Sequence, residues 1–102
     1  MPGPIQVPFD PTKNARADVV VKGACTHAKG AWVLQGIVQN PEHATTGYSI
    51  VVDYVRLPGD TVLDTQVVKV KPVAYRQSAH WKASWTSNKK SLTCVVRQAQ
   101  TR

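Results

Sequence analysis

The chain has 102 residues, enough for one domain around a single hydrophobic core and too few for two. Lys and Arg number 13 against 6 Asp and Glu, so the formal net charge is +7 and the surface should attract polyanions. Nucleic acid, anionic lipid headgroups and acidic wall polymers are all candidates. No apolar run approaches the ~20 residues that a membrane-spanning helix needs, so no transmembrane segment is predicted.

The N-terminal stretch is marked by proline. It contains Pro2, Pro4, Pro8 and Pro11. This composition is typical of an extended tether, so we predict a Pro-rich linker over residues 1–17 and a folded domain over residues 18–102. A short edge strand is the alternative, because Ile5, Val7 and Phe9 alternate. The opening Met-Pro-Gly-Pro has neither a basic leader nor an apolar run, so we predict no export signal there.

From Asp18 onwards the hydrophobic pattern has a period of two, and the dominant apolar residue is Val, which favours strands. Gly, Pro, Asn and Asp clusters separate the segments. The predicted strands cover residues 19–25, 31–40, 47–57, 61–70, 76–85 and 92–100. The tripeptide Pro58-Gly59-Asp60 is a hairpin turn, and Lys71-Pro72 is expected to end the fourth strand. We therefore predict an all-β fold, an immunoglobulin-like antiparallel β-sandwich of about seven strands.

The alternation also predicts which face each side chain occupies. The residues expected to face the core are Ile50, Val52, Tyr54, Trp81, Ala83, Trp85, Cys94 and Val96. Those expected to face solvent are His80, Lys82, Ser84 and Arg97. A polar and largely basic outer face follows from the same periodicity.

Two cysteines, Cys25 and Cys94, lie in Val-rich segments near opposite ends of the domain. If they pair, the chain-entropy model gives the bond roughly 4 kcal/mol of stabilisation, and an extracytoplasmic location follows because disulfides persist mainly in exported proteins. Two separate buried thiols in a cytosolic core are the alternative.

Several short motifs resemble those of FxLYD-type domains, immunoglobulin-like modules of bacterial envelope and secreted proteins, often actinobacterial. The first is Gly-Ile-Val-Gln-Asn at residues 36–40, and the second is Tyr54 followed by the turn sequence Pro-Gly-Asp-Thr-Val at residues 58–62. The others are Ser-Ala-His-Trp at residues 78–81 and Leu-Thr-Cys-Val-Val at residues 92–96. The resemblance spans residues 19–100, and residues 53–56 stand where the family has its aromatic-Leu-Tyr-Asp run. It implies an envelope or secreted location and a pairing of Cys25 with Cys94. It carries over no catalytic residue.

No enzyme signature is present in the sequence. There is no Gly-x-Ser-x-Gly turn and no reactive Cys/His pair, and the six carboxylates fall mostly at turns and strand edges. His27, His43 and His80 could join the cysteines as metal ligands, but structural zinc needs four donors with short paired spacings and only one such pair exists. We therefore predict a non-enzymatic protein with no cofactor and no metal site.

The remaining basic residues form a possible face for an anionic partner. They are Lys69, Lys71, Arg76, Lys82, Lys89, Lys90 and Arg97. Their default role is solvation. The predicted function is an extracytoplasmic interaction or spacer module, secreted or membrane-anchored, whose partner is a protein or an anionic envelope component. The alternative is a cytoplasmic single-stranded nucleic-acid-binding protein that stacks bases on its three tryptophans, although the alternation assigns Trp81 and Trp85 to the core.

Overall fold

The computed structural model describes residues 9–41, 44–58 and 61–102. Seven strands follow two short 3-10 turns, Pro11–Lys13 and Arg16–Asp18. The strands are β1 (Val19–Val21), β2 (Thr26–Ala28), β3 (Ala31–Gln39), β4 (Thr46–Arg56), β5 (Thr61–Val73), β6 (Ser78–Thr86) and β7 (Leu92–Thr101). Three predictions concern residues outside the described ranges: the linker or edge strand at residues 1–8, the hairpin turn at residues 59–60, and Glu42 as a surface carboxylate with His43 as a candidate metal ligand.

The strands form two antiparallel sheets, which confirms the predicted all-β sandwich. In one sheet β3 lies at the centre, with β1 and β2 along one edge and β6 along the other. In the other sheet β4 lies at the centre between β5 and β7. Because β3 and β4 are consecutive but belong to different sheets, the chain crosses between the layers at Asn40 and returns to the first layer between β5 and β6.

The core lies between the sheets and is built mostly from the side chains that the alternation assigned to it. Ile50, Val52, Tyr54 and Ala83 are fully buried and Trp81 is 4 % exposed. Trp85, Cys94 and Val96 are partly buried and pack against the same cluster. His80, Lys82 and Ser84, on the other face of β6, are exposed. The predicted faces of these strands are therefore confirmed.

The first predicted strand is interrupted, which the sequence did not indicate. β1 pairs with β3 as far as Val21 opposite Gly36, and β2 resumes with Thr26 opposite Val33. Four residues, 22–25, thus stand opposite only two in β3, so the excess bulges out of the sheet. Gly23, at φ +75°, supplies the left-handed conformation that this detour needs.

The detour carries Cys25 to β7, where it forms a disulfide with Cys94 at a Cα–Cα distance of 5.7 Å. The bond therefore links the interrupted edge of one sheet to the last strand of the other. Both cysteines of the chain are used in it, so the alternative of two free thiols is wrong for this structure.

The fourth predicted strand does not end at Lys71-Pro72, because β5 continues to Val73. That expectation was wrong because β5 is an edge strand, in which the missing N–H of proline removes no ladder bond. The pairing jumps from Tyr48 opposite Val70 to Thr46 opposite Val73, so the Lys-Pro pair is accommodated as a bulge.

The described part of the predicted linker packs on β7. The Ala15 N–H donates to the Ala99 carbonyl at 2.9 Å, and Ala15 is 2 % exposed within the core. Asp10 caps the first 3-10 turn by accepting from the Thr12 N–H at 3.0 Å. Residues 10–18 therefore cover the C-terminal half of β7. In the described residues no helix is long and apolar enough to cross a bilayer.

Candidate functional site

A cleft of about 600 Å³ opens where the free edge of β5 approaches the free edge of β6. Val68, Val70 and Trp81 contribute apolar surface to it. Its basic residues are Lys69, Lys71, His80 and Lys82, and no carboxylate lines it among the residues that the structure describes. The sequence predicted the three lysines as part of one face. The structure places them around one concave site, here called the basic cleft.

The alternation of the two strands explains this arrangement. Val68 and Val70 point towards the core side of β5, so Lys69 and Lys71 point the other way. On β6, Trp81 points inward, so its neighbours His80 and Lys82 point outward. The two sheets thus present their basic side chains on opposite lips of the cleft, with the apolar residues between them.

One end of the basic cleft is closed by a side chain. The amide oxygen of Gln66 on β5 accepts the backbone N–H of Ser84 on β6 at 2.9 Å, and the same oxygen accepts the Tyr54 hydroxyl at 3.0 Å. This bridge ties the two strand edges together at that level. From this bridge towards the loop at residues 74–77, residues of both strands line the basic cleft.

Arg76 lies next to the basic cleft, in the loop that joins β5 to β6. It adopts a left-handed conformation, φ 60°, and its guanidinium carbon lies 5.1 Å from the centre of the Tyr75 ring. Its backbone N–H donates to the Asn40 carbonyl at 2.8 Å. Arg76 lines a second depression of about 430 Å³ that shares Gln77 and Ser78 with the basic cleft.

The other three predicted basic residues lie elsewhere. Lys89 and Lys90 follow the far end of β6 and line a depression with Arg56 and Leu63. Arg97 on β7 forms a bidentate ion pair with Asp53 on β4, with Nη2 to Oδ1 at 2.7 Å and Nε to Oδ2 at 2.8 Å. The predicted anionic-partner face is therefore divided among three places, and only the basic cleft gathers several of its residues.

His80 is the member of the cleft that sequence reasoning did not assign to a partner surface. The alternation placed it on the solvent side of β6, next to Lys82, and that signal could have linked the two. What the sequence could not provide is the approach of β5 to β6, since strands consecutive in the chain lie here in different sheets.

The tryptophans and His27 have structural roles. The Trp32 indole N–H donates to the Lys89 carbonyl at 2.9 Å, and its ring lies 4.9 Å from that of His27. The Trp81 N–H reaches the Ile37 carbonyl at 3.3 Å, and Trp85 lies 5.1 Å from Tyr54. Within residues 9–41, 44–58 and 61–102, no group of three or more His, Cys, Asp or Glu side chains is placed to hold a metal ion.

Comparison with protein-family models gives no match. Searches of curated proteins and of solved structures give no match either. The resemblance to FxLYD-type domains accordingly remains an expectation from sequence.

Proposed function

We propose that this protein is a non-enzymatic, extracytoplasmic interaction module, part of a secreted or membrane-anchored envelope protein, that binds an anionic partner in the basic cleft. The observation that carries the proposal is the placement of Lys69, Lys71 and Lys82 around one concave site without a lining carboxylate among the described residues. A concave site brings several charges to bear on one ligand, whereas lysines scattered over a convex surface act singly and are screened by salt.

The disulfide supports the extracytoplasmic part of the proposal. A bond between Cys25 and Cys94 joins the two sheets, and disulfides of this structural kind persist in oxidising compartments. The expected result is that protein isolated from its natural host under thiol-blocking conditions carries no free thiol, as measured by intact mass before and after reduction. Two blocked thiols per molecule would contradict the proposed location.

The binding part can be tested with an immobilised sulfated polysaccharide as a generic anionic probe. Lys69→Glu/Lys82→Glu reverses two charges in the basic cleft, and we expect it to elute at much lower salt than the wild type. Lys89→Glu/Lys90→Glu is the matched control, because it changes the net charge equally at the far end of β6. All four side chains are exposed, so neither double variant should disturb the core. Equal shifts for the two variants would show that net charge alone governs retention.

The alternative function, single-stranded nucleic-acid binding, would require aromatic rings free to stack on bases. Trp32, Trp81 and Trp85 pack against the core cluster instead. A single-stranded oligonucleotide at about 50 mM salt therefore should not quench tryptophan fluorescence through stacking. Strong quenching, with binding unaffected by Lys69→Glu/Lys82→Glu, would favour the alternative over the proposed module.

A further inference from the structure

The backbone of β6 presents hydrogen-bonding groups to the basic cleft. In an antiparallel strand, alternate residues direct both N–H and C=O to the same side. The Ser84 N–H points towards β5, where it meets Gln66 at 2.9 Å. Because β3 and β6 pair without a register shift, the N–H and C=O groups of Lys82 and His80 point the same way as those of Ser84.

A second hydrogen bond supports this assignment from the other side of the sheet. Gln35 stands opposite Lys82 in the pairing of β3 with β6. The Gln35 carbonyl accepts the N–H of Lys22, beside β1, at 2.9 Å, so the backbone groups of Gln35 face away from β6. The Gln35–Lys82 pair is therefore one that exchanges no ladder bonds, and the backbone groups of Lys82 face the cleft.

No strand covers this edge among the residues described. Within residues 9–41, 44–58 and 61–102, β6 pairs only with β3, and the hydrogen bond between β5 and β6 lies at the Gln66–Ser84 level. The β5 edge is the poorer template, because Pro72 lacks an N–H there. The free edge from Ser78 to Lys82 is about 15 Å long, enough to pair with roughly five residues of an extended segment.

The side chains around the edge specify the chemistry of such a segment. An added strand would direct alternate side chains to the two faces of the sheet. On the outer face they would meet His80 and Lys82, with Lys69 and Lys71 on the opposite lip. On the inner face they would meet Val68, Val70 and Trp81. The site therefore fits a segment in which acidic and apolar residues alternate.

From this geometry we infer that the basic cleft binds an extended acidic–apolar peptide segment as an additional strand on β6. The inference rests on the proposed function and names its partner as a polypeptide rather than a glycan or lipid. Lys82 on this edge also disfavours a second copy of this chain as the occupant, because pairing of two β6 edges would bring their lysines together.

The test uses an eight-residue peptide that alternates Glu and Val, with isotope-labelled full-length protein. We expect the backbone amides of His80 and Lys82 to gain protection from hydrogen exchange when the peptide binds, since added-strand pairing uses those amides. The same peptide methylated on alternate backbone nitrogens cannot pair, and we expect its affinity to fall by at least about tenfold. Equal affinity of the two peptides would overturn the inference.

A protein variant provides the reciprocal control. His80→Pro removes the N–H that faces the cleft and leaves the ladder bonds to β3 intact, whereas His80→Ala retains that N–H. We expect peptide binding to be lost in the first variant and only weakened in the second, which removes the imidazole but keeps the N–H. If His80→Pro does not fold, the methylated peptide still decides the question.

The outcomes separate this inference from the proposed function. Retention on the sulfated polysaccharide that depends on Lys69 and Lys82, together with no amide protection by the peptide, would leave the anionic site standing and refute strand addition. Peptide binding that Lys69→Glu/Lys82→Glu does not weaken would refute the charge complementarity on which both rest.

Discussion

Asp53, Arg97 and Thr65 form a closed polar group on the outer face of the β5–β4–β7 sheet. The Thr65 hydroxyl donates to Asp53 Oδ1 at 2.7 Å and accepts from Arg97 Nη2 at 2.9 Å. The Asp53 side chain is 9 % exposed and that of Arg97 23 %. Arg97 lies at the bulge where the pairing of β4 with β7 shifts, between Val96 opposite Val52 and Gln98 opposite Val51.

Removal of the Asp53 carboxylate should destabilise the domain because the positive charge of Arg97 then loses its counter-ion. We expect Asp53→Ala to lower the free energy of unfolding by about 2–3 kcal/mol, less than for a fully buried pair because Arg97 is partly exposed. The double variant Asp53→Ala/Arg97→Ala should lose no more than the single one, because the uncompensated guanidinium is gone. Urea denaturation of Asp53→Ala, Arg97→Ala and the double variant measures this, and a loss in the double variant equal to the sum of the two single losses would contradict it.

Tyr54 makes the stability dependent on alkaline pH. Burial raises the pKa of its hydroxyl to about 12 from the ordinary 10.0, and the charge of Asp64 adds to the effect. A folded-state pKa above the unfolded value means that the unfolded chain loses its proton first, so stability is fully present below pH 10 and falls as the pH rises towards about 12.

The measurement is the urea midpoint of unfolding between pH 9 and pH 12. We expect the wild-type midpoint to fall across this range and that of Tyr54→Phe to fall less steeply. The variant loses the hydroxyl bond to Gln66, worth about 1 kcal/mol, but retains the ring in the core. Parallel declines in the two proteins would assign the pH dependence to other groups.

At the scale of single elements, β3 requires glycine at one position. A Cβ on Gly36 would lie well inside van der Waals contact of the Val20 carbonyl oxygen and 3.0 Å from Trp81 Cζ2. Neither neighbour can retreat easily, because one is the backbone of β1 and the other a core indole. Gly36 therefore permits the close approach of β1 to β3.

We expect Gly36→Ala to lower the free energy of unfolding by about 3 kcal/mol through overpacking. Gly47→Ala in β4 is the matched control, since a Cβ there meets the Val70 carbonyl at an ordinary 3.4 Å. The control should be neutral or slightly stabilising, because alanine has less backbone freedom to lose than glycine. The measurement is the thermal unfolding midpoint of Gly36→Ala and of Gly47→Ala, each compared with that of the wild type. A Gly36→Ala variant as stable as the control would show that β1 can shift without loss.

The elements that the sequence predicted well are those with unbroken alternation. β3, β4, β6 and β7 match the predicted segments to within two residues at each end, because one face of each is buried and fixes its period. The interruption between β1 and β2 was not predictable from local pattern. It arises because Cys25 must reach Cys94, a contact between residues far apart in the chain.

The candidate site was predictable only in part for a related reason. Alternation identifies Lys69, Lys71 and Lys82 as outward-facing, but it does not reveal which strand edges adjoin. That information depends on the chain crossing from one sheet to the other between β5 and β6. Similarly, nothing local to Arg97 marks it as the partner of Asp53, which lies 44 positions earlier.

At the scale of the whole molecule, the disulfide divides the chain into a closed ring and two arms. The ring runs from Cys25 to Cys94 and contains β2 to β6, and therefore all of the basic cleft. The arms contain β1 with the residues before it, and the part of β7 that follows Cys94. Each arm is held by strand pairing: β1 on β3, and β7 on β4.

This division has a mechanical consequence. A pulling force applied at the two ends of the chain is transmitted through the sulfur–sulfur bond, so only the arms can be drawn out. At about 3.4 Å per residue, we expect the arms of the oxidised protein to reach a stretched length of roughly 110 Å, against roughly 350 Å for the whole chain once the bond is reduced; single-molecule extension measures both. Equal stretched lengths for the oxidised and the reduced protein would contradict this division of the chain. The basic cleft would thus bear no tension along its backbone while both flanks lengthen.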